Sequence, residues 1–340
     1  MAVLALAAGA CGCLRDGDVA RPLVLDNRTV GFSRTDPTAT TQGKLRFRGG
    51  LELRSTDPDF GGLSALLVSS DGASFIAVSD QSHWITGTLE YDDGRLVRAI
   101  GGTIAPMRDL EGNPLVDKKG DAEGLATAVE GKNDDLFVSF EGIHRVWRYA
   151  FGNDGVDARP VNFPLPPEAL KAPRNGGLEG ITLVGDGELF AVDERFRNRA
   201  GNYRAWVLPF VPADHQPGAA NADSRTPAPR AIVPILPYAM TDIRMLPDGN
   251  LLTLERRYDP VQGIGIELRR MPWKRDDPAG DHPLDGEIVG RMDTTFEVDN
   301  MEGLSVRRDP SGATLVYMLS DDNFNRPIQR TLLMMFELLP

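Results

Sequence analysis

Carboxylates recur at fixed places in a repeated sequence pattern. Glu123, Glu179 and Glu302 each precede a glycine and a short apolar run, Asp242 occupies the comparable place in another repeat, and Asp193 closes a later run. Carboxylate oxygens are preferred ligands of Ca²⁺ and Mg²⁺. Because both cysteines lie before residue 14 and the chain has 4 histidines, this ligand set favours calcium, or else magnesium, over zinc. We predict that these five residues hold a divalent cation; the alternative is that each caps backbone amides.

A bound cation would activate water for hydrolysis, which makes Glu179, Glu302 and Glu123 the predicted catalytic residues. Other hydrolytic designs lack their signatures, since the sequence contains no G-x-S-x-G, S-x-x-K or H-E-x-x-H motif and no P-loop. More acids end the second apolar run of each repeat and would face the same site: Asp80, Glu141, Asp193, Glu194, Glu255, Asp321 and Asp322.

Basic side chains follow several of these acids. Arg195 and Arg197 come directly after Glu194, Arg256 follows Glu255, and His144 lies shortly after Glu141. The planar guanidinium group suits phosphate and carboxylate oxygens. We therefore predict Arg195, Arg256, Arg197 and His144 as binding residues for a small anionic ester; the alternative is that the arginines neutralise neighbouring acids.

Five repeats must position these residues. Each reads as a short alternating strand, a turn and an apolar strand that ends in acids, and further strand candidates follow most of them. Successive repeats begin 59, 56, 62 and 61 residues apart, which fits four-stranded blades with long loops. The aligned first positions are Ser64, Glu123, Glu179, Thr241 and Glu302.

The last repeat offers only Arg330–Leu338 as a further strand, whereas Lys44–Arg54 is a spare strand before the first repeat. Placing the spare strand in the last blade closes a ring and removes exposed edges. We therefore predict an all-β propeller of five four-stranded blades closed by an N-terminal strand. Six blades are the alternative if Leu23–Ser33 and the long loops build another sheet. The predicted boundaries are 1–13 for a leader, 14–43 for an extension and 44–340 for one propeller domain.

The charge balance restricts the partners. The 340 residues carry 49 acidic and 37 basic side chains, a net charge of −12. Nucleic acids and anionic membranes require basic patches, so neither is expected as a partner. The sequence has no apolar run of 18 residues that would span a membrane. We expect a monomer that acts on a small molecule.

The N-terminus carries a processing signal. Ala2 to Cys13 is small and apolar, and Ala8-Gly9-Ala10 fits an A-x-A cleavage site. Cys11 after Ala-Gly-Ala also matches part of a lipoprotein box. We expect a periplasmic or secreted protein, or an outer-membrane lipoprotein anchored at Cys11; the alternative is an incidental alanine-rich tail.

The repeat motifs resemble a known family. Gly61–Leu66 (GGLSAL), Gly120–Ala126 (GDAEGLA), Gly176–Leu183 (GGLEGITL) and Asn300–Val306 (NMEGLSV) are similar to the phytase-like family of secreted bacterial propellers, described as having esterase-like activity of phytase. The resemblance implies a β-propeller and hydrolysis of phosphate or carboxylic esters with calcium. It runs from Gly61 to the C-terminus. The fourth repeat departs from the pattern, with Thr241-Asp242 in place of Glu-Gly, and so does the first, with Ser64-Ala65. The alternatives are a gluconolactonase-like lactonase and a non-catalytic binding or scaffold propeller of the envelope.

Overall fold

Five antiparallel sheets follow one another along the chain and form a ring. The structure is a computed structural model that describes residues 19–115, 120–185, 187–211, 226–275 and 282–340. The predicted leader at 1–13 and its Cys11 lie outside the described residues. The five-bladed propeller predicted from the repeats is confirmed, and the described residues contain no sixth blade.

Each blade has four core strands, and the first of them faces the centre of the ring. The first strands contact one another around the circle, so the loops that enter them meet at one mouth of a central channel. The strands before blade 1 are β1 (Arg21–Pro22), β2 (Asp26–Thr29), β3 (Thr41–Gln42) and β4 (Leu45–Arg54). Blade 1 contains β5 (Leu63–Val68), β6 (Ser74–Ser79), β7 (His83–Asp92) and β8 (Arg95–Pro106). Blade 2 contains β9 (Ala122–Val129), β10 (Lys132–Phe140), β11 (Arg145–Tyr149) and β12 (Pro160–Phe163). Blade 3 contains β13 (Leu178–Gly185), β14 (Glu188–Arg197), β15 (Tyr203–Pro209) and β16 (Ala228–Ile232). Blade 4 contains β17 (Ala239–Met245), β18 (Leu251–Asp259), β19 (Gly263–Met271) and β20 (Glu287–Met292). Blade 5 contains β21 (Asn300–Arg308), β22 (Thr314–Asp321), β23 (Thr331–Leu338) and β4.

The N-terminal strand closes the ring as predicted. β4 pairs with β23 along its length, from Leu53 opposite Thr331 to Leu45 opposite Leu338. β2 and β3 add to β4, and β1 adds to the outer strand of blade 1. Residues within 14–43 thus continue two blades as short edge strands.

Apolar side chains pack between neighbouring blades. Along β14, Leu189 and Ala191 pack toward blade 2, whereas Phe190 and Val192 pack toward blade 4. Such a strand is buried on both faces, which explains its continuous apolar run. One apolar layer of this kind lies at each of the five blade interfaces.

In the part of the chain that the structure describes, helix is confined to three short turns between strands: α1 (Phe151–Asp154) and the 3₁₀ turns Gly155–Asp157 and Ala169–Lys171. Within the described ranges, no helix has the length and apolar character needed to cross a membrane.

Candidate functional site

A β-bulge in the first strand of every blade directs one residue into the mouth. The pairing with the second strand skips a position, for example between Leu178 and Gly180 or between Met301 and Gly303. Bulges re-aim side chains and are common beside active sites. The residues at the five bulges are Ser64, Glu123, Glu179, Thr241 and Glu302. These are the five aligned first positions of the sequence repeats.

The glycine after the bulged glutamate allows neighbouring first strands to approach closely. A Cβ on Gly124 would lie 2.5 Å from the carbonyl oxygen of Glu179, and one on Gly180 would lie 3.0 Å from the backbone nitrogen of Ile243. Both contacts are too tight for an alanine without movement of the backbone. The repeated Glu-Gly pair thus combines a side chain for the mouth with the close packing that the narrow ring requires.

The ends of the second strands supply another set of side chains at the mouth. The residue opposite the start of each bulge is followed by a charged residue in every blade. Four of these are acids and one is an arginine: Asp80, Glu141, Glu194, Arg256 and Asp321.

Two groups of carboxylates lie close enough to share a cation. One oxygen each from Asp121, Glu123 and Glu141 lie within 4.8 Å of one another, and so do oxygens from Glu141, Glu179 and Glu194. Glu141 belongs to both groups and is 7% exposed. Its Oε1 accepts a hydrogen bond of 2.7 Å from the backbone nitrogen of Gly177 in the next blade. Blades 2 and 3 therefore form the most concentrated acidic part of the mouth.

Burial and like charges oppose ionisation of these groups. Burial, and then the neighbouring carboxylates of Glu302, Asp121 and Glu141, raise the pKa of Glu123 well above its usual range. Burial also raises the pKa of Glu179, with Glu123 as the largest charged contributor. Without a cation, burial and mutual repulsion therefore favour the protonated forms of Glu123 and Glu179.

Glu302 and Arg256 form a mixed pair beside the two acidic groups. The Arg256 Nη2 lies 3.3 Å from Glu302 Oε1, and its Nη1 donates to Asn300. Asn300 Nδ2 in turn donates to Glu302 Oε1 at 2.9 Å. Arg256 thus partly neutralises Glu302. It is the one cation among the five charged residues that the ends of the second strands supply at the mouth.

The other predicted binding residues differ in availability. Arg195 is exposed and pairs with Glu194 over 2.6 Å. Arg197 instead packs over the Tyr203 ring, with its guanidinium carbon 4.5 Å from the centroid, and donates to the Tyr203 hydroxyl at 3.2 Å. Arg195 is therefore an exposed side chain at the rim that is paired with Glu194, whereas Arg197 is committed to a packing contact.

His144 lies directly behind the acidic groups. Its Nε2 is 3.1 Å from the carbonyl oxygen of Ala172 and must carry the proton to make this hydrogen bond. Its Nδ1 is buried and has no hydrogen-bond partner among the described residues. A Cβ on Gly177 would come within 2.5 Å of that nitrogen, so the ring packs against the residue whose amide binds Glu141.

Asp242 lies at a different place from the glutamates with which the sequence grouped it. Thr241 is at the bulge, and Asp242 takes the place of the following glycine. Its Oδ1 accepts from the Ile243 nitrogen and from Arg244 Nη1, both at 2.7 Å, and its Oδ2 accepts from the Leu304 nitrogen at 2.8 Å. These bonds brace blade 4 against blade 5, and Asp242 belongs to neither carboxylate group.

Arg244 crosses the channel below the mouth. Its Nη2 donates to the Leu66 carbonyl of blade 1 at 3.2 Å, and its Nη1 donates to the Ile181 carbonyl of blade 3 at 2.8 Å. With Asp242 it forms an ion pair in which both side chains are at least 94% buried. The side chain therefore ties three blades together at the centre of the ring.

Asp193 points away from the two groups, toward the interface with blade 2. It is fully buried, and neither carboxyl oxygen has a hydrogen-bond partner in the described part of the chain. Burial raises its pKa to about 9, so the carboxyl group is protonated at neutral pH. The charge of the nearby Glu141 also contributes to this raised pKa. Asp193 nevertheless lies outside both groups of carboxylates that could share an ion.

Sequence reasoning overlooked Asp121 and assigned no ligand role to Glu141 or Glu194, although it counted both glutamates among the acids at the mouth. The missed signal for Asp121 is its place two residues before Glu123 in the motif GDAEGLA. The signal for Glu141 and Glu194 is their shared register after the second strand of their blades.

The comparison with family models agrees with the repeat pattern. A family model described as phytase-like, esterase-like activity of phytase, matches residues 58–324. No curated protein matches the chain. Among solved structures, the crystal structure of the Cps50 (Swd1) β-propeller domain of Myceliophteria thermophila aligns with 8% identity over 91% of this chain and 98% of that chain, with a TM-score of 0.40.

Proposed function

Since the chain belongs to the phytase-like family described as having esterase-like activity of phytase, we propose that it hydrolyses phosphate or carboxylic esters with a divalent cation held at the acidic mouth. The observation that carries this proposal is the pair of carboxylate groups joined by Glu141.

The residues at the mouth fit a hard cation. The carboxylate oxygens within each group lie within 4.8 Å of one another, and two charged carboxylates at that limit would repel by about 3.5 kcal/mol at an effective dielectric constant of 20. A divalent ion would convert this repulsion into attraction. It would also favour loss of the protons from Glu123 and Glu179, whose pKa values are raised when no ion is bound. Five carboxylates and no thiolate or imidazole in the two groups favour calcium, with magnesium as the alternative.

The side chains divide the work by position. Asp121, Glu123, Glu141, Glu179 and Glu194 would hold the cation, which would supply Lewis acidity and lower the pKa of a bound water. This assignment leaves Asp242 and Asp193 as supports of the blades beneath the mouth.

Three further groups would act on the substrate. Arg256, fixed beside Glu302, and Arg195 at the exposed rim would bind the anionic oxygens of the ester. Glu302 orients Arg256 and adds a carboxylate next to the reacting group. The unpartnered Nδ1 of His144 is an acceptor that would take a proton at the base of the site.

The proposal includes an extracytoplasmic location. Calcium-binding modules that work outside cells have dissociation constants of about 10⁻⁴–10⁻³ M, so calcium there would fill even a weak site. The alanine-rich leader, with Cys11 as the candidate anchor, would direct the chain there.

The test measures hydrolysis by the full-length protein after chelation and after calcium is restored. p-Nitrophenyl phosphate, p-nitrophenyl acetate and a δ-lactone are the substrates. Glu141→Gln is compared with Glu168→Gln, which changes an exposed acid that belongs to neither carboxylate group. We expect calcium-dependent ester hydrolysis that Glu141→Gln abolishes and Glu168→Gln retains. Activity that survives chelation would refute the metal role. Turnover of the lactone alone would favour a lactonase, and calcium binding without turnover would favour a binding propeller.

A further inference from the structure

The end of the channel opposite the acidic mouth contains a second cavity. Its volume is about 820 Å³, within the range of small-molecule sites. It lies where the first strands leave the ring centre, and every blade contributes to its wall. One residue from each blade illustrates this: Leu67, Ala126, Leu183, Met245 and Val306.

The wall is mainly apolar and carries few charges. Val68, Ala128 and Val184 are buried in it, and the partly exposed Trp273 adds an aromatic surface. Its charged lining among the described residues consists of three arginines, Arg244, Arg307 and Arg308, and one glutamate, Glu130. The charge balance at this end is therefore opposite to that of the acidic mouth.

Arg244 gives the cavity a polar floor with an unused donor. Its two terminal nitrogens donate to Leu66, Ile181, Ile243 and Asp242. Its Nε, however, is buried and has no partner in the described part of the molecule, although the side chain is only 5% exposed. A buried donor without an acceptor is unfavourable, so a ligand oxygen at this point would be stabilised.

Arg307 is a second positively charged residue in the wall of the cavity. Its Nε donates to the Tyr317 hydroxyl at 3.0 Å, and its guanidinium carbon lies 5.7 Å from the centroid of the Tyr91 ring. These contacts hold the cation in place at the junction of blades 5 and 1. An anion in the cavity would therefore meet a preorganised guanidinium group.

We propose that this cavity binds a small amphipathic carboxylate, with its apolar body against the first strands and its carboxylate directed toward the arginines of the wall, Arg244 and Arg307. A single unused donor and an apolar wall match one carboxylate better than a highly hydrated phosphate dianion. The Asp242–Arg244 pair lies between the two ends of the channel, so the ligand would be separate from the site at the acidic mouth. This proposal does not depend on the proposed hydrolysis.

The test is isothermal titration calorimetry of the full-length protein with 2-naphthoate and with the uncharged 2-naphthamide. A chelator is present throughout so that no cation at the acidic mouth can attract the carboxylate. We expect 2-naphthoate to bind about tenfold more tightly than the amide, because only the charged oxygen makes charge-assisted hydrogen bonds. Equal affinities, or no heat with either compound at millimolar concentration, would overturn the proposal.

Variants locate the binding. Met245→Glu puts a carboxylate in the cavity wall and should weaken 2-naphthoate binding by at least about tenfold. Val161→Glu adds the same charge on the outer strand β12, where Val161 is 60% exposed, and should leave binding unchanged. Arg244→Lys keeps a cation beside Asp242 but removes the Nε donor, and should abolish the preference for the carboxylate if the variant remains folded by circular dichroism. Unchanged binding by Met245→Glu would refute this location even if Arg244→Lys fails to fold.

Discussion

Replacing Glu141 by glutamine should stabilise the metal-free protein. Glu141 has four carboxylate neighbours with oxygens within 4.8 Å, two in each group. One fully charged pair at that distance repels by about 3.5 kcal/mol at a dielectric constant of 20. Because the raised pKa values of Glu123, Glu179 and Glu194 favour their neutral forms when no cation is bound, the gain in the free energy of unfolding should be smaller than the full repulsion, about 1–3 kcal/mol. The glutamine oxygen can still accept from the Gly177 nitrogen, so the contact between blades 2 and 3 is retained.

Calcium should reverse the order of stability. A ligand at 100 times its dissociation constant stabilises a folded protein by about 2.7 kcal/mol. The native chain should gain this amount, whereas Glu141→Gln loses the carboxylate that both groups share. The variant should therefore melt a few degrees above the native protein in chelator, at about 2 °C per kcal/mol, and below it in calcium.

Differential scanning calorimetry in chelator and across a calcium titration measures this crossing, with Glu168→Gln as the control for loss of one negative charge. If Glu141→Gln is the less stable protein in chelator as well, the contact with Gly177 outweighs the repulsion, and the mouth is a structural cluster. If calcium stabilises both proteins equally, the cation binds elsewhere.

Three further predictions concern the supports Asp242 and Gly124 and the buried His83 at the start of β7. Asp242→Ala should lower the free energy of unfolding by about 3–5 kcal/mol in urea titrations, because it leaves the Arg244 guanidinium buried without its counter-charge; a loss below 1 kcal/mol would contradict this. Gly124→Ala should cost about 1–3 kcal/mol and weaken calcium binding by calorimetry, because its Cβ meets the Glu179 carbonyl at 2.5 Å; unchanged affinity would show that the bulge does not position the ligands. Burial lowers the pKa of His83 below the unfolded value of about 6.5, so the unfolded chain takes up the proton first, and stability is lost as the pH falls below about 6.5. His83→Gln should lose less stability than the exposed control His282→Gln between pH 7 and pH 5 in urea titrations, and equal losses would refute the role of His83.

The fold could be predicted because the same pattern of strands and turns recurs in five repeats. The sequence has five units at similar spacing, lacks one strand in the last unit and has a spare strand at Lys44–Arg54. Few strand arrangements fit these facts and leave no strand edge unpaired. The short strands β1 and β3 could not be anticipated, because two-residue edge pairs such as Arg21 with Ile104 depend on where the blade edge lies in space.

The candidate site was only partly predictable. Periodicity identifies Glu123, Glu179 and Glu302 correctly as equivalent positions, since each lies at a bulge. It also aligns Thr241 with these glutamates, and the structure places Thr241 at the bulge. The ligand role predicted for Asp242 overlooked this one-residue offset, which turns a side chain in another direction. Arg197 shows the same limit, since its contact with the Tyr203 ring depends on the neighbouring strand β15.

The pairing of β4 with β23 implies that the chain could begin and end at another connection of the ring and still form the same strand pairs. Leu45 and Leu338 are neighbours in space although almost the whole described chain separates them. A circular permutant that joins these ends and opens the connection between β16 and β17 would keep every strand pair of blade 5 within one continuous segment. Such a protein would fold its last blade by local pairing, without the entropic cost of closing a loop of nearly the entire chain. Its folding rate compared with that of the native order would measure how far ring closure limits assembly.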